Sequence, residues 1–237
     1  MKAVEVKRLS KFFGSRPALI DVDLVVEEGG VFGLIGPNGA GKTTLFRILA
    51  TLLRPTRGEV RIFGKELVKQ SSEIRKLISY LPEEAGVYRH LKGIEYLTMV
   101  QDLYGLDKAV EKGAEISGLG EALNARMGEY SKGMRRRILL AGCLMVGPRL
   151  AILDEPTAGL DVEHSVYVRN IIREYASQGT TFLVSSHNML EVDYLCDSIA
   201  LINRGRIVET GRPKQLVTEH GVENLEELFV KLVGESR

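Results

Sequence analysis

An α/β fold built on a mostly parallel core sheet flanked by helices is predicted by three observations. Apolar runs of strand length alternate with helix-like stretches along most of the chain. A glycine-rich turn at 36–44 joins one such run to one such stretch, and a second apolar run, Leu150–Leu153, ends in the paired carboxylates of Asp154 and Glu155. Strand–helix alternation implies parallel strands with helices on both faces, and the ligands of such sheets sit beyond the strands' carboxyl ends. The 237 residues suffice for one large domain with ample core. Lys plus Arg number 32 against 31 Asp plus Glu, so no global field marks nucleic acid as a partner. Cys143 and Cys196 lie far apart, without a C-x-x-C pair or a histidine cluster, and read as packed free thiols in a reducing cytosol. No uncharged apolar stretch reaches the length that spans a bilayer, so a membrane role has to be borrowed from a partner.

Along the chain, residues 4–9 and 22–26 read as short strands, and Gly29-Gly30 marks a tight turn into the strand at 31–35. Between the first two lies Phe13, just before Gly14. Its ring either stacks on an adenine or plugs the sheet, and the residues leave both open. The helix after the glycine-rich turn is expected over 44–53, a strand over 58–63, and a short helix running into a strand over 74–81. From 93 to 130 the pattern is helical and strand-free, with Ile94, Leu97, Val100 and Tyr104 on one face, as for an insertion into the core. A long helix follows over 131–146, then the strand Leu150–Leu153, helices over 161–175 and 188–195, and a strand over 180–184 between them. A hairpin is expected at 199–208 around Asn203-Arg204-Gly205. In the last helix Leu225, Leu228, Phe229, Leu232 and Val233 form a one-sided stripe, read as docking on its own domain, with a subunit or membrane-surface contact as the other reading. The loops after Ile35, Leu81, Leu153 and Ser185 should therefore converge.

Gly36, Gly41, Lys42 and Thr43 fit G-x-x-x-x-G-K-[ST], the phosphate-binding loop. Gly36, Pro37, Asn38, Gly39, Ala40 and Gly41 form a loop whose backbone N–H groups, which Pro37 lacks, can make a concave nest around a polyphosphate. The helix starting near Lys42 and Thr44 adds its N-terminal field, Lys42 reaches the β- and γ-phosphates, and the Thr43 hydroxyl can ligate Mg²⁺. Asp154 is placed to meet that metal, and Glu155 to orient or deprotonate a water attacking the γ-phosphate. His187 ends another buried strand and can hydrogen-bond the same phosphate, whereas His90, His164 and His220 read as surface residues. Arg135, Arg136 and Arg137 read mainly as solvated helix surface, with one of them pairing with a carboxylate.

In order and spacing, residues 36–43, Tyr130-Ser131-Lys132-Gly133-Met134, 150–155, Ala158-Gly159-Leu160-Asp161 and Ser186-His187 resemble the ATP-binding subunit of an ABC transporter. The resemblance spans nearly the whole chain. It implies an ABC-type P-loop ATPase fold with a nucleotide core and antiparallel β-subdomain at 1–83 and 147–211. A helical subdomain would occupy 84–146 and C-terminal helices 212–237. It makes Phe13 the adenine-stacking aromatic and residues 80–84 the link to the helical subdomain. Ser131 and Gly133 become part of a signature that meets the γ-phosphate bound by the opposite subunit, with ATP and Mg²⁺ as cofactors. It also implies a homodimer, or a heterodimer with a paralogous subunit, on the cytoplasmic face of the cell membrane, held there by a permease.

Four departures stand out. Tyr130, Lys132 and Met134 replace the usual Leu, Gly and Gln of the signature, and Glu83 stands where a glutamine usually contacts metal and water. These departures resemble the subgroup serving ABC-2-type permeases, which favours export. Residues 83–92, with Tyr88 and His90, would lie beside the groove that receives the permease's coupling helix. The other class of function is a nucleotide-gated assembly or regulatory protein without transport. Chain length argues against versions that need coiled-coil arms or two nucleotide domains. A small kinase or GTPase fits less well, because there is no N-K-x-D motif.

Overall fold

The computed structural model describes residues 1–234, so the expected helical segment at 235–237 lies outside the described residues. Strands β1 (Lys2–Phe13) and β2 (Arg16–Glu27) form one long antiparallel hairpin. They run well beyond the short strands read from the sequence because β-bulges absorb the breaks in alternation: the register shifts repeatedly, and Arg8 and Asp21 sit at positive φ. Strands β4 (Arg57–Ile62) and β5 (Lys65–Glu66) complete a four-stranded sheet in the order β2-β1-β4-β5.

The core sheet takes β3 (Val31–Ile35), β6 (Ile78–Leu81), β7 (Leu150–Leu153), β8 (Thr181–Ser186), β9 (Ser198–Asn203) and β10 (Arg206–Gly211), in the order β10-β9-β3-β8-β7-β6. All pairs are parallel except the edge hairpin β9–β10. Its two-residue turn has both Arg204 and Gly205 at positive φ, as a type I′ turn demands. Every residue of β3, β7 and β8 is buried, as expected of central parallel strands.

Helices α1 (Lys42–Leu49) and α2 (Ser71–Arg75) flank the early strands. Helix α1 stops four residues short of the expected end because Thr51 turns left-handed, and α2 begins before Ile74 and ends ahead of β6. The insertion contains α3 (Gly93–Tyr104), α4 (Ala109–Ser117) and two single 3₁₀ turns, followed by α5 (Lys132–Leu144). On α3 the buried face is Tyr96, Leu97 and Val100. Ile94 is half-buried and Tyr104, in the last turn before the Gly105 cap, is exposed. Helices α6 (Val162–Ser177), α7 (Met189–Leu195), α8 (Pro213–Glu219) and α9 (Leu225–Gly234) follow.

Alternation along the strands feeds opposite faces of the sheet. Leu34 and Leu183 pack with Leu9, Leu19 and Phe46 of α1, between the two sheets. Val31, Phe182 and Val184 pack on the other face with Leu97, Leu144 and Ile172. The stripe of α9 is used internally, with Leu225 and Leu228 buried against Ile35, Leu201 and Leu216 and with Phe229 and Leu232 beside them. Among the described residues no helix is long and apolar enough to cross a membrane.

Candidate active site

Register decides where the chemistry lands. Leu81 pairs with Leu153, Leu153 with Val184, and Ile35 with Ser186, so β6, β7, β8 and β3 end at nearly one level. The loops that leave β3, β6 and β7, with the end of the β1–β2 hairpin, bound a cleft of about 520 Å³ whose lining includes Phe13, Arg16, Lys42, Glu83, Asp154 and Glu155. Pro37, Asn38, Gly39, Gly41, Thr43 and Thr44 form its floor. Gly39 and Gly41 take φ of 80° and 113°, which side-chain-bearing residues rarely adopt. Gly36 and Ala40 stand behind the wall instead. A Cβ on Gly36 would lie 2.2 Å from the Ile202 carbonyl oxygen, so close packing against β9 demands a glycine there. The Ala40 carbonyl accepts from Gly205 N–H at 2.8 Å, which lets the β9–β10 turn brace the loop.

Lys42 is buried and donates from Nζ to the carbonyls of Gly36 (2.7 Å) and Pro37 (3.4 Å), with Glu155 Oε1 at 3.7 Å. Glu155 Oε2 in turn meets His187 Nδ1 at 2.8 Å. Because a carboxylate accepts, Nδ1 carries the proton, and His187, whose side chain is 61% exposed, turns its other edge outward. Ser185 Oγ donates to Asp154 Oδ1 (2.6 Å) and accepts from Glu155 N–H (2.9 Å), so one hydroxyl sets both carboxylates. Glu155 holds φ at 47°, a strained conformation that costs on the order of 1–3 kcal/mol and persists where surrounding contacts impose it.

A magnesium ion fits this donor set. Asp154 is almost fully buried, yet its Oδ2 has no hydrogen-bond partner among the described residues. It lines the same cleft as Thr43. Mg²⁺ takes one or two carboxylates and completes its shell with phosphates and water.

Ser131 and Gly133 lie outside that cleft. Ser131 caps α5, its Oγ accepting from Met134 N–H at 3.1 Å. The N–H groups of Lys132 and Gly133 come too early in the helix to have an intrahelical acceptor and lie at its positive end. Ser131 and Lys132 are exposed there.

This geometry can be set beside known proteins. A family model described as ABC transporter matches residues 19–158, more than half of the chain. The chain belongs to the ABC transporter family, as an ATP-binding domain. It is 40% identical over 225 residues to the daunorubicin/doxorubicin resistance ATP-binding protein DrrA of Streptomyces peucetius, covering 93% of this chain and 68% of that protein. It is 37% identical to the ABC transporter ATP-binding protein NatA of Bacillus subtilis, covering 91% of each. A solved ATP-binding subunit of an ABC transporter superposes with a TM-score of 0.89 at 30% identity, over 97% of this chain and 99% of the other. The ABC ATPase fold expected from the sequence is the fold observed.

In this ABC domain, glycine at position 133 has a second reason to be there: a Cβ would lie 1.3 Å from His164 Cδ2. His164 is therefore half-buried against the signature helix rather than on the surface as expected, with Nδ1 3.3 Å from Asp161 Oδ1. His220 is also half-buried, beside Glu209, while His90 is exposed as read. Gly133→Ala should cost about 1–3 kcal/mol by overpacking, visible as a lowered melting temperature. Gly133→Ala/His164→Ala should recover most of that loss.

The reading of the arginine run requires correction. Arg137 stacks on Tyr167, 3.8 Å from the ring centroid, and donates to Ser117 O and Gly118 O. Arg135 donates to Gly128 O. Arg136 is buried and holds backbone carbonyls rather than a carboxylate. Burial pulls its guanidinium pKa down, opposed by nearby Cys143, Asp154, Glu83 and Glu155. Two further groups carry no distinctive sequence signal, the hydroxyl of Ser185 and the buried carboxylate of Glu191. Glu191 accepts from Thr157 Oγ1 (2.6 Å) and Ser186 Oγ (3.0 Å) and so ties the loop after β7 to the loop after β8. Both cysteines are free, and burial pushes the Cys143 thiol up to about 12, which makes it inert near neutrality.

Proposed function

We propose that this chain is the ATP-hydrolysing motor subunit of a membrane exporter, a dimer of nucleotide domains closing on ATP and driving a separate ABC-2-type permease. The observation that carries the reading is the split of the machinery. Lys42, Asp154 and Glu155 line one cleft, with His187 held against Glu155, while the helix end at Ser131, Lys132 and Gly133 presents anion-binding donors outside it. A second copy, placed head to tail, would bring that end to the γ-phosphate.

In this reading the loop N–H groups and Lys42 hold the phosphates, and Phe13, half-exposed at the cleft, stacks on the base. Thr43 and Asp154, with Glu83 at the cleft mouth as a further oxygen donor, would hold Mg²⁺, which when bound would supply positive charge against the transferring phosphoryl group. Glu155 takes the proton as water attacks the γ-phosphorus, the bond to the bridging oxygen breaks, and ADP and inorganic phosphate leave. His187, held by Glu155 through Nδ1, donates to the γ-phosphate through Nε2 only as imidazolium. Phe13→Ala should weaken ATP binding about tenfold, measured by titration, and Phe13→Trp should retain it.

Export is supported by the departures at Glu83 and in the signature and by the resistance function in the name of one relative. Residues 84–146 act as the helical subdomain facing the permease. Exposed Tyr88 and His90 and the groove along Ile94, Thr98, Met99 and Leu103 supply the contact surface on the cytoplasmic face. Affinity isolation from native membranes in mild detergent tests this. A polytopic membrane protein should be recovered in stoichiometric amount. Recovery of the chain alone would favour a nucleotide-gated assembly factor.

A further inference from the structure

We propose that Arg136 is a positioning residue that ties the anion-binding end of α5 to the carboxylates of the same chain's own cleft. Its guanidinium makes five hydrogen bonds, as many as its five N–H donors allow. Nε donates to Pro156 O (2.8 Å), Nη1 to Pro82 O (2.8 Å) and Glu83 O (3.3 Å), and Nη2 to Asp154 O (2.8 Å) and Glu155 O (2.9 Å). The side chain is only 8% exposed.

Those carbonyls belong to the two segments that carry the site's carboxylates. One is the end of β6 running into Glu83, and the other is the end of β7 with Asp154 and Glu155. A buried cation is tolerated only when its donors are satisfied, so the two segments are held at a fixed spacing around one rigid fork. The same fork fixes the carbonyl of Glu155, whose backbone is strained at φ 47°. Lysine, with three donors on a single point, cannot span both segments.

Arg136 stands five residues along α5 from Ser131, about 7 Å of rise on a continuous helix. A displacement of that helix end therefore reaches Glu155 through hydrogen bonds alone. Under the dimer reading above, on which this inference rests, the end of α5 engages the ATP of the second copy. Arg136 then couples occupancy of the partner's cleft to the position of the water-activating carboxylate in its own, and turnover is cooperative in ATP.

The test is steady-state ATPase and equilibrium ATP binding on the full chain with Arg136→Lys and Arg136→Gln, using Arg137→Lys on the same helix as a control. Arg136→Lys should lower kcat ten- to hundredfold and leave the ATP Kd within about threefold. The Hill coefficient should fall from above one toward one, and Arg137→Lys should change none of these. If Arg136→Gln does not fold, Arg136→Lys carries the decision. A folded Arg136→Lys with parental kcat and Hill coefficient overturns the inference. So does a kcat loss that is matched by lost ATP binding or shared by Arg137→Lys, since either marks a merely structural role. An unmodified chain that turns over ATP without cooperativity overturns the inference as well, whereas activity per chain that is unchanged by dilution to monomer sinks the dimer reading itself, a separate and distinguishable failure.

Discussion

Glu155→Gln leaves a protein that binds ATP and stops turning it over. The expected loss is about 10²–10⁴-fold in kcat, the usual contribution of a positioned general base. The substitution keeps the length of the side chain, and its amide oxygen can still accept from His187. The ability to take a proton from water is what disappears. Under the proposed dimer, blocking hydrolysis leaves ATP bridging two copies, so gel filtration with ATP and Mg²⁺ should show a dimer that persists longer than that of the parent chain. Loss of ATP binding in parallel with turnover would instead assign Glu155 to the ion pair with Lys42.

Asp154→Asn should act differently. Its Oδ1 can still accept from Ser185 Oγ, so the brace that sets Glu155 survives. What changes is the orphan position: an amide NH₂ replaces the free Oδ2 and points donors where a cation needs an oxygen. Mg²⁺-dependent turnover should fall by on the order of 10²–10³-fold, equivalent to about 3–4 kcal/mol of lost transition-state stabilisation. Nucleotide binding measured in EDTA should stay near the parent value. The comparison of binding with and without Mg²⁺ is the measurement that separates a metal ligand from a structural carboxylate.

Much of the architecture was legible because the strongest signals are short-range. The strand Leu150–Leu153 is a bounded apolar run, and the structure ends it at the same residues. Ser131, Asp161 and Asn188, placed at helix starts, turn out to cap α5, α6 and α7 with their side chains. The first hairpin was underestimated because bulges hide a continuous strand behind broken alternation. The arginine run was misread for a different reason. Consecutive residues on a helix point about 100° apart, so charge alone does not say which of three faces inward. Helical spacing held the answer, since Gly133, Arg136 and Leu140 fall at i, i+3 and i+7 and all are buried. Nothing local announces the contact of Gly133 with His164 or the fork of Arg136 across two strand ends, because both depend on elements distant in the chain.

Under the proposed function one chain carries an incomplete reaction centre and a second chain completes it. Specific ATPase activity measured across a dilution series, with the fraction of dimer determined on the same samples, tests this most directly. Activity per chain should fall in step with the dimer fraction as the protein is diluted. Constant activity per chain at concentrations where every molecule is monomeric would contradict the account.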